Sequence, residues 1–247
     1  MTEKQDFIAQ ERWDEGYAKL SLQSAPADDP IRRWLERYIP RGTGAALEFG
    51  CFPGRYLAVL GELGYEVNGI DLTPRLERDL PAWMRAQGLR TGEFVQADVF
   101  THSFQRKFDV VCSFGLIEHF GQWPKLVERH AELVRPGGWL ALSTPNFRGG
   151  LQQTLHRWLD ARNLSEHNLD AMQPQRWAKI VAPLGFEMVM CGYIGPFDFW
   201  VGQQDRPAFQ NFVLKVFRRL KRVGRLLPDN VGFYAPYCGM IARKRVR

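Results

Sequence analysis

A glycine-containing turn follows the first strongly apolar run of the chain. The segment LEFGCFPG covers residues 47–54 and places Gly50 and Gly54 between a predicted strand and a predicted helix, with Glu48 just ahead of the turn. Glycines at such a turn let the backbone approach a ligand, and exposed N–H groups at the start of a helix attract negative charge. This spacing is typical of a cofactor-binding turn, although alone it also fits an ordinary strand-to-helix turn.

Two acids lie at the ends of the next predicted strands. Asp71 belongs to the segment GIDLTP and follows Gly50 by 21 residues. Asp98 belongs to QADVF at residues 96–100. In an open α/β sheet, ligands bind beyond the carboxyl ends of the strands, where one carboxylate can accept from ribose hydroxyls and another from an adenine amine. Together with the glycine turn, these acids predict an adenosine site, whereas each acid alone could simply cap a loop or helix.

The details of the glycine turn favour one adenosine cofactor over another. A dinucleotide site needs the pattern GxGxxG, but Phe52 occupies the place of the middle glycine. Glu48 would repel a pyrophosphate, whereas it can position the ammonium group of a methionine moiety directly or through water. The turn therefore favours a methionine-bearing adenosine cofactor over NAD.

Five segments in this order and spacing resemble those of the class I S-adenosylmethionine-dependent methyltransferases, in particular the type 11 and UbiG-like branch. The resemblance covers residues 45–147 well and continues more loosely to the end of the chain. The segments that carry it are LEFGCFPG, GIDLTP, QADVF, FDVVCSFGLIEHF (108–120) and LVRPGGWLALSTPN (133–146).

The resemblance implies S-adenosylmethionine as the cofactor and a set of residues that hold it. The methionine end would lie against Glu48, Gly50 and Gly54, and the ribose against Asp71. The other implied cofactor residues border the adenine, the transfer site or the same loops: Asp98, Val99, Ser113, Phe114, Cys51 and Leu72.

His119 is the candidate catalytic base. The reaction implied is an in-line displacement at the sulfonium methyl group, and a hydroxyl acceptor would need a base with a near-neutral pKa. His119 follows the fourth predicted strand, where the transfer would occur. Glu118 and His119 could instead fix this loop or hold a divalent ion as in UbiG-like relatives. Because Gln122 and Trp123 follow in place of further acids, we predict no metal.

The segments outside the central pattern are expected to bind the acceptor and to cover the cofactor. Trp13 and Tyr17 are spaced four residues apart on a predicted helix, where they either close over the cofactor or anchor the core. The predicted acceptor residues follow the fifth strand, and each of them has a purely structural alternative on the surface or in the core: Asn146, His156, His167, Phe199 and Trp200.

Short apolar runs alternate with amphipathic ones, which predicts an α/β fold with a doubly wound, mostly parallel sheet. The resemblance implies a Rossmann-like sheet of seven strands. We predict an N-terminal helical cap at 1–40, a cofactor-binding core at 41–147 and a substrate-side region at 148–247. The predicted strands are 45–49, 67–70, 93–96, 108–114, 139–144, 186–193 and 237–242. The predicted helices are 7–19, 31–38, 55–63, 75–87, 125–134, 175–183 and 210–227. A Pro-Gly-Gly sequence at 136–138 is expected to end the helix at 125–134. Residues 148–175 form a polar stretch.

Charge is concentrated in one place. The formal net charge is +6, and residues 206–228 contain seven basic residues and no acid. The rest is near neutral, which argues against a nucleic-acid partner. The basic helix 210–227 either docks on the core or contacts an anionic membrane or a phosphate-bearing substrate. Four scattered cysteines, no secretory signal and no long apolar run predict a cytoplasmic protein.

These observations predict a methyltransferase that uses S-adenosylmethionine, with a hydroxyl as acceptor. The expected acceptors are a glycan, a glycolipid, a nucleotide sugar or a small metabolite. Two alternatives are an NAD-dependent oxidoreductase and a module that binds the cofactor without catalysis.

Overall fold

The computed structural model describes residues 7–18, 20–202, 206–224 and 226–246, without the side chains of 218 and 220–223. Its central sheet has seven strands: β1 Ala45–Phe49, β2 Glu66–Asp71, β3 Thr91–Gln96, β4 Phe108–Phe114, β5 Val134–Pro145, β6 Phe186–Ile194 and β7 Tyr237–Lys244. The strand order is β3-β2-β1-β4-β5-β7-β6. β7 is antiparallel to both of its neighbours, and the other pairs are parallel. The predicted fold class is confirmed.

Helices cover both faces of this sheet. They are α1 Gln10–Tyr17, α2 Pro30–Tyr38, α3 Arg55–Glu62, α4 Arg75–Ala86, α5 Trp123–Leu133, α6 Gly150–Leu159, α7 Ala161–Ser165, α8 Pro174–Val181 and α9 Ala208–Gly224. Alternation along β1 explains the two layers, because successive side chains of a strand point to opposite faces. Leu47 and Phe49 pack with α5 and α8, whereas Ala46 packs with α2 and α3.

The strand order reverses between β1 and β4, so the loops after these two strands border the crevice where open α/β sheets bind ligands. The loops touch each other at Gly50, whose φ is +63°. A Cβ atom at Gly50 would lie 2.6 Å from Cδ1 of Leu116 in the loop after β4. Both the left-handed backbone and this close approach require glycine here.

Two predicted boundaries were wrong. The Pro-Gly-Gly sequence at 136–138 does not separate a helix from a strand, because α5 ends at Leu133 and β5 begins at Val134. The register between β4 and β5 is irregular there, so these residues form a bulge within the strand. The polar stretch 148–175 contains α6 and α7. Leu151, Leu155 and Leu159 have the four-residue spacing of a helix, but the polar residues between them obscured it.

The basic helix α9 packs on the core through only part of its apolar surface. Leu214 is buried and Val213 and Phe217 pack beside it, whereas Phe212 and Val216 remain exposed. Four of the seven basic residues of this segment have side chains that lie outside the described part of the structure: Arg218, Lys221, Arg222 and Arg225. Across the described ranges, no helix combines the length and the apolar character needed to cross a bilayer.

Candidate active site

A cavity of about 900 Å³ opens at the carboxyl edge of the sheet. It lies over the point where the strand order reverses, and its walls come from α1, the loops after β4 and β5, α7 and the segment that precedes α9. A volume of this size is at the upper end for a small-molecule site. The sequence-predicted residues that line it are Tyr17, Phe114, His119, His167 and Trp200.

Glu48 is a buried residue near the carboxyl end of β1, and it does not itself line the cavity. Its side chain is 4% exposed, and its Oε2 atom has no hydrogen-bond partner among the described residues. Burial, together with the charge of Asp71, raises the pKa of Glu48 well above its usual value. An unsatisfied buried carboxylate oxygen is costly, so this site is suited to a cationic or hydrogen-donating ligand group.

Asp71 holds two loops together at the end of β2. Its Oδ2 atom accepts from the backbone N–H of Phe52 at 3.0 Å, and its Oδ1 atom accepts from that of Thr73 at 3.1 Å. Burial raises the pKa of Asp71, and the backbone N–H bonds oppose that rise. Each carboxylate oxygen keeps a second lone pair, so the group can still accept from a ligand hydroxyl.

Helix α1 packs across the cavity through two aromatic rings. The ring of Tyr17 meets the ring of Phe52 edge-on at 4.9 Å, and the Arg75 guanidinium lies over the Phe52 ring. Burial raises the pKa of Tyr17 well above its usual value, with the charge of Asp71 as the next cause. Trp13 contacts the ring of His119 edge-on at 4.9 Å. Both rings of α1 therefore line the cavity, Tyr17 against the turn after β1 and Trp13 against the predicted base.

Apart from Tyr17 and Phe114, the predicted cofactor residues do not line the cavity. Asp98 is exposed, and its Oδ1 atom accepts from the backbone N–H of Phe100 at 2.7 Å. Leu72 is exposed and Val99 is buried. Ser113 is buried under the cavity; across the described chain, no group hydrogen-bonds to its hydroxyl. Three further predicted residues form the turn after β1 or its borders: Gly50, Cys51 and Gly54.

His119 lies in a short 3₁₀ helix, Ile117–His119, in the loop after β4. Its Nδ1 atom is 3.0 Å from the backbone carbonyl oxygen of Glu166. Burial lowers the pKa of His119 to about 3, with the neighbouring His167 as the second cause. In the neutral ring, Nδ1–H donates to that carbonyl and Nε2 keeps a free lone pair. Nε2 is thus the atom that could take up a proton, but the pKa of His119 lies well below the near-neutral value expected from the sequence, because burial disfavours the charged ring.

Glu118 adds a buried carboxyl group beside this histidine. Its Oε1 atom is 3.9 Å from Nε2 of His119. Burial raises the pKa of Glu118 to about 8, and neither carboxylate oxygen has a hydrogen-bond partner within the described portion of the protein. Nδ1 of His167 is 2.6 Å from the backbone oxygen of Asn163, which leaves its Nε2 available.

Glu118, His119 and His167 form a group that can hold a metal ion. One potential ligand atom from each lies within 4.8 Å of the others. A carboxylate and two imidazoles suit divalent transition metals. The sequence analysis predicts no metal because Gln122 and Trp123 follow in place of further acids. The structure instead brings His167, from the segment after α7, to the loop after β4.

On the acceptor side, Trp200 lines the cavity, and Phe199 and His156 lie behind it. The His156 ring is 4.9 Å from that of Phe199, and its Nδ1 atom is 3.3 Å from Oδ2 of Asp160. Asp160 also pairs with Arg206 at 3.1 Å. This buried ion pair ties α6 to the segment that carries Trp200.

Asn146 lies away from the cavity. Its amide donates to the backbone oxygens of Gly232 and Ala235 at 2.9 and 3.0 Å and accepts from the N–H of Gly149. These bonds fix the segment before β7. The structure therefore places this predicted acceptor residue in a structural network.

Two tyrosines in the cavity wall were missed by the sequence analysis. Tyr56 lies in the first turn of α3, and Tyr237 begins β7 opposite Pro145. Because β7 runs antiparallel to β5, its first residue lies at the edge where the parallel strands end. The start of a predicted antiparallel strand was therefore the signal that could have identified Tyr237.

Comparison with known proteins agrees with this geometry. Residues 13–190 match the family model described as a methyltransferase domain. A ubiquinone biosynthesis O-methyltransferase from Thiobacillus denitrificans is 30% identical over 120 residues, which are 48% of this chain and 52% of that protein. The corresponding protein from Leptothrix cholodnii is 29% identical over 122 residues, with the same coverage. The chain thus matches about half the length of these relatives.

Two solved structures share the fold. An S-adenosylmethionine-dependent methyltransferase from Archaeoglobus fulgidus has a TM-score of 0.57 and 18% identity, with 96% of this chain and all of that chain covered. The N-methyltransferase NodS from Bradyrhizobium japonicum, in complex with S-adenosylhomocysteine, has a TM-score of 0.56 and 14% identity, with 94% and 97% covered.

The chain belongs to the methyltransferase domain family and has the fold of the class I S-adenosylmethionine-dependent methyltransferases. Over about half of its length, its sequence is similar to ubiquinone biosynthesis O-methyltransferases, which agrees with the predicted resemblance to the UbiG-like branch.

Proposed function

We propose that this protein transfers a methyl group from S-adenosylmethionine to a hydroxyl group of a small molecule. One observation carries the proposal: near the point where the strand order reverses, Glu48 is buried close to Asp71 and Tyr17, and its Oε2 atom has no hydrogen-bond partner among the described residues. This set offers what the cofactor needs, namely an acceptor for its ammonium group, an acceptor for its ribose hydroxyls and an aromatic cover.

The cofactor residues have separate roles in this proposal. Glu48 binds the ammonium group, and Gly50 and Gly54 admit the methionine moiety close to the backbone. Asp71 binds the ribose through the second lone pairs of its carboxylate. The residues that follow the outer strands border the adenine and the transfer site: Leu72, Asp98, Val99, Ser113 and Phe114, with Cys51 beneath the turn.

His119 acts as the general base. The cofactor supplies an electrophilic methyl group, and the positive charge of its sulfonium centre disperses as this group is transferred. A hydroxyl acceptor must lose its proton, and His119 lines the same cavity as Phe114 and Gly115. His167 contacts the His119 ring at 4.4 Å and helps to orient the acceptor.

The acceptor lies between these histidines and Trp200. Glycans, glycolipids, nucleotide sugars and small metabolites all present hydroxyl groups, and aromatic walls suit the apolar faces of sugars and of phenolic rings. Likeness to ubiquinone biosynthesis O-methyltransferases supports oxygen as the acceptor atom. The 30% identity concerns about half of those proteins, so it identifies a reaction type and leaves the acceptor open to experiment.

A second candidate function for His119, as a metal ligand, is supported by its position next to Glu118 and His167. These residues fit a divalent ion, because each keeps an atom available for coordination. Such an ion would act as a Lewis acid toward the acceptor hydroxyl. Methyl transfer measured with EDTA, and again after Mg²⁺ or Zn²⁺ is added, separates the roles: activity that survives chelation supports His119 as base, and activity restored only by metal supports the ion.

The proposal is tested by transfer of a labelled methyl group from S-adenosylmethionine to a panel of catechols, sugars and nucleotide sugars. We expect one acceptor of the panel to give a product that is 14 daltons heavier than that acceptor. His119→Ala should lose most of this activity while it keeps its affinity for S-adenosylhomocysteine, and His102→Ala serves as the control. Full activity in His119→Ala would remove the base assignment. Cofactor binding with no methylated product from cell extracts would favour the non-catalytic module.

A further inference from the structure

Helix α9 leaves an apolar face uncovered. Three of its side chains are strongly exposed for their type: Phe209 at 65%, Phe212 at 62% and Val216 at 38%. Trp158 of α6 extends the same surface, with 48% exposure and a ring centroid 6.0 Å from that of Phe209. We call these four residues the α9 face. A contiguous group of exposed aromatic rings on a folded chain is typical of an interaction surface.

The α9 face is separate from the surface by which α9 packs on the core. Leu214 is buried, and with Val213 and Phe217 it contacts the cluster that contains Leu155 and Phe199. At 100° per residue, Phe209, Phe212 and Val216 form a stripe beside that buried face. The core therefore already accounts for one apolar side of the helix, and the second apolar side lacks a partner among the described residues.

Basic residues border the α9 face. Lys215 and Arg219 are exposed and, by helical geometry, lie together along the edge of the stripe that is remote from the core. Arg157 is exposed beside Trp158. The sequence from 206 to 228 contains seven basic residues and no acid. The face thus combines apolar rings with the exposed positive charges of Lys215, Arg219 and Arg157.

This combination selects one kind of partner. Aromatic rings partition into the interfacial region of a bilayer, and each flanking lysine or arginine is attracted by anionic headgroups. A second copy of the chain is a poorer partner, because an isologous contact through this face would bring Lys215 and Arg219 of both copies together. We infer that the α9 face is a docking surface for an anionic lipid membrane.

The α9 face lies near the acceptor side of the cavity. Phe199 packs under α9, and the adjacent Trp200 lines the cavity on the acceptor side. Docking would therefore bring the acceptor side of the cavity close to the lipid surface. This consequence rests on the proposed function, whereas the docking itself does not and can be tested without any acceptor.

The test is co-sedimentation of the full chain with vesicles. One set is pure phosphatidylcholine, and the other contains phosphatidylglycerol as about one third of the lipid. We expect binding to the anionic vesicles at about 50 mM salt, little binding to the neutral ones, and a steep loss toward about 500 mM salt. Phe209→Ser combined with Phe212→Ser should lower the partition coefficient at least about tenfold.

Two further variants sharpen this test. Met188→Ser with Val189→Ser changes two exposed apolar residues on the edge strand β6, and it should bind as the wild type does. Lys215→Glu with Arg219→Glu should abolish the preference for anionic lipid while the thermal melting temperature stays the same. Because all these side chains are exposed, the variants are expected to fold.

Three outcomes would overturn the inference. The first is no binding to anionic vesicles at low salt. The second is equal binding by the Phe209→Ser, Phe212→Ser variant. The third is a dimer in light scattering that dissociates in that variant while vesicles are not bound, which would assign the face to a second copy of the chain. Vesicle binding without methyl transfer would leave the inference standing and count only against the proposed function.

Discussion

The carboxylate of Asp71 accepts a hydrogen bond from the backbone N–H of Phe52 at 3.0 Å. This bond joins the end of β2 to the turn after β1, which lie on neighbouring parallel strands. The residue expected to bind ribose therefore also fixes the turn expected to hold the methionine moiety. Phe52 replaces a glycine of the dinucleotide pattern, and its N–H and its ring both have partners in the site.

Asp71→Asn tests the ribose role. The substitution removes the charge but keeps one carbonyl acceptor, so we expect binding of S-adenosylhomocysteine to weaken by roughly 1 to 3 kcal/mol. Calorimetric titration measures the change, and Asp28→Asn on the exposed turn before α2 provides the control. An unchanged dissociation constant in Asp71→Asn would contradict the assignment.

Tyr17 is expected to act through its ring. Tyr17→Ala removes the edge-on contact with Phe52 and uncovers the cavity, so the affinity for S-adenosylhomocysteine should fall about tenfold, in line with an aromatic contact of roughly 1 kcal/mol. Tyr17→Phe keeps the ring and should bind nearly as the wild type does. If the phenylalanine variant loses as much affinity as the alanine variant, the hydroxyl and not the ring is responsible.

Asp160→Ala should be strongly destabilising. Asp160 and Arg206 form an ion pair in which both side chains are almost fully buried. Removal of the carboxylate from this buried pair is expected to cost roughly 3 to 5 kcal/mol. Denaturant unfolding monitored by tryptophan fluorescence gives the value. Asp170→Ala, which breaks the exposed pair with Arg176, should cost less than about 1 kcal/mol. Equal losses in the two variants would refute the prediction.

His130 should make folding sensitive to acid. It is buried against Phe49, and burial lowers its pKa from 6.5 to about 4. The unfolded chain takes up the proton near pH 6.5 and the folded protein only near pH 4. The contribution to stability is therefore complete above pH 6.5 and is lost as the pH falls toward 4, by up to roughly 3 kcal/mol.

The comparison variant for this pH dependence is His130→Asn, which keeps a donor toward the Leu126 carbonyl. Unfolding free energies measured between pH 7 and pH 4 should fall less steeply in this variant than in the wild type. If the unfolding free energies of the two proteins fall equally as the pH is lowered, then unfolding does not raise the pKa of His130, and the prediction is contradicted. A lower stability of the variant at pH 7 reflects lost packing and does not enter the comparison.

The parallel core could be predicted because its signals are local. The runs 45–49 and 108–114 match the strands β1 and β4 to the residue, since buried parallel strands are continuous apolar segments bounded by turns. The same locality explains why Glu48, Asp71 and His119 were predicted as site residues: Glu48 and Asp71 lie at the carboxyl ends of β1 and β2, and His119 lies in the loop after β4.

Contacts between distant segments could not be predicted in this way. His167 reaches His119 only because α6 and α7 fold over the carboxyl edge, and the polar stretch gave no indication of that path. The buried Asp160–Arg206 pair depends on the same packing. Asn146 shows the converse: it directly follows a strand end, but its amide is engaged by the segment before β7.

The central claim is that the turn after β1 holds the methionine end of S-adenosylmethionine, and titration calorimetry with S-adenosylhomocysteine and with NADH tests it most directly. We predict one S-adenosylhomocysteine bound per chain, much weaker binding after Glu48→Gln, and no heat from NADH. Absence of S-adenosylhomocysteine binding, or tight binding of NADH in its place, would contradict the claim.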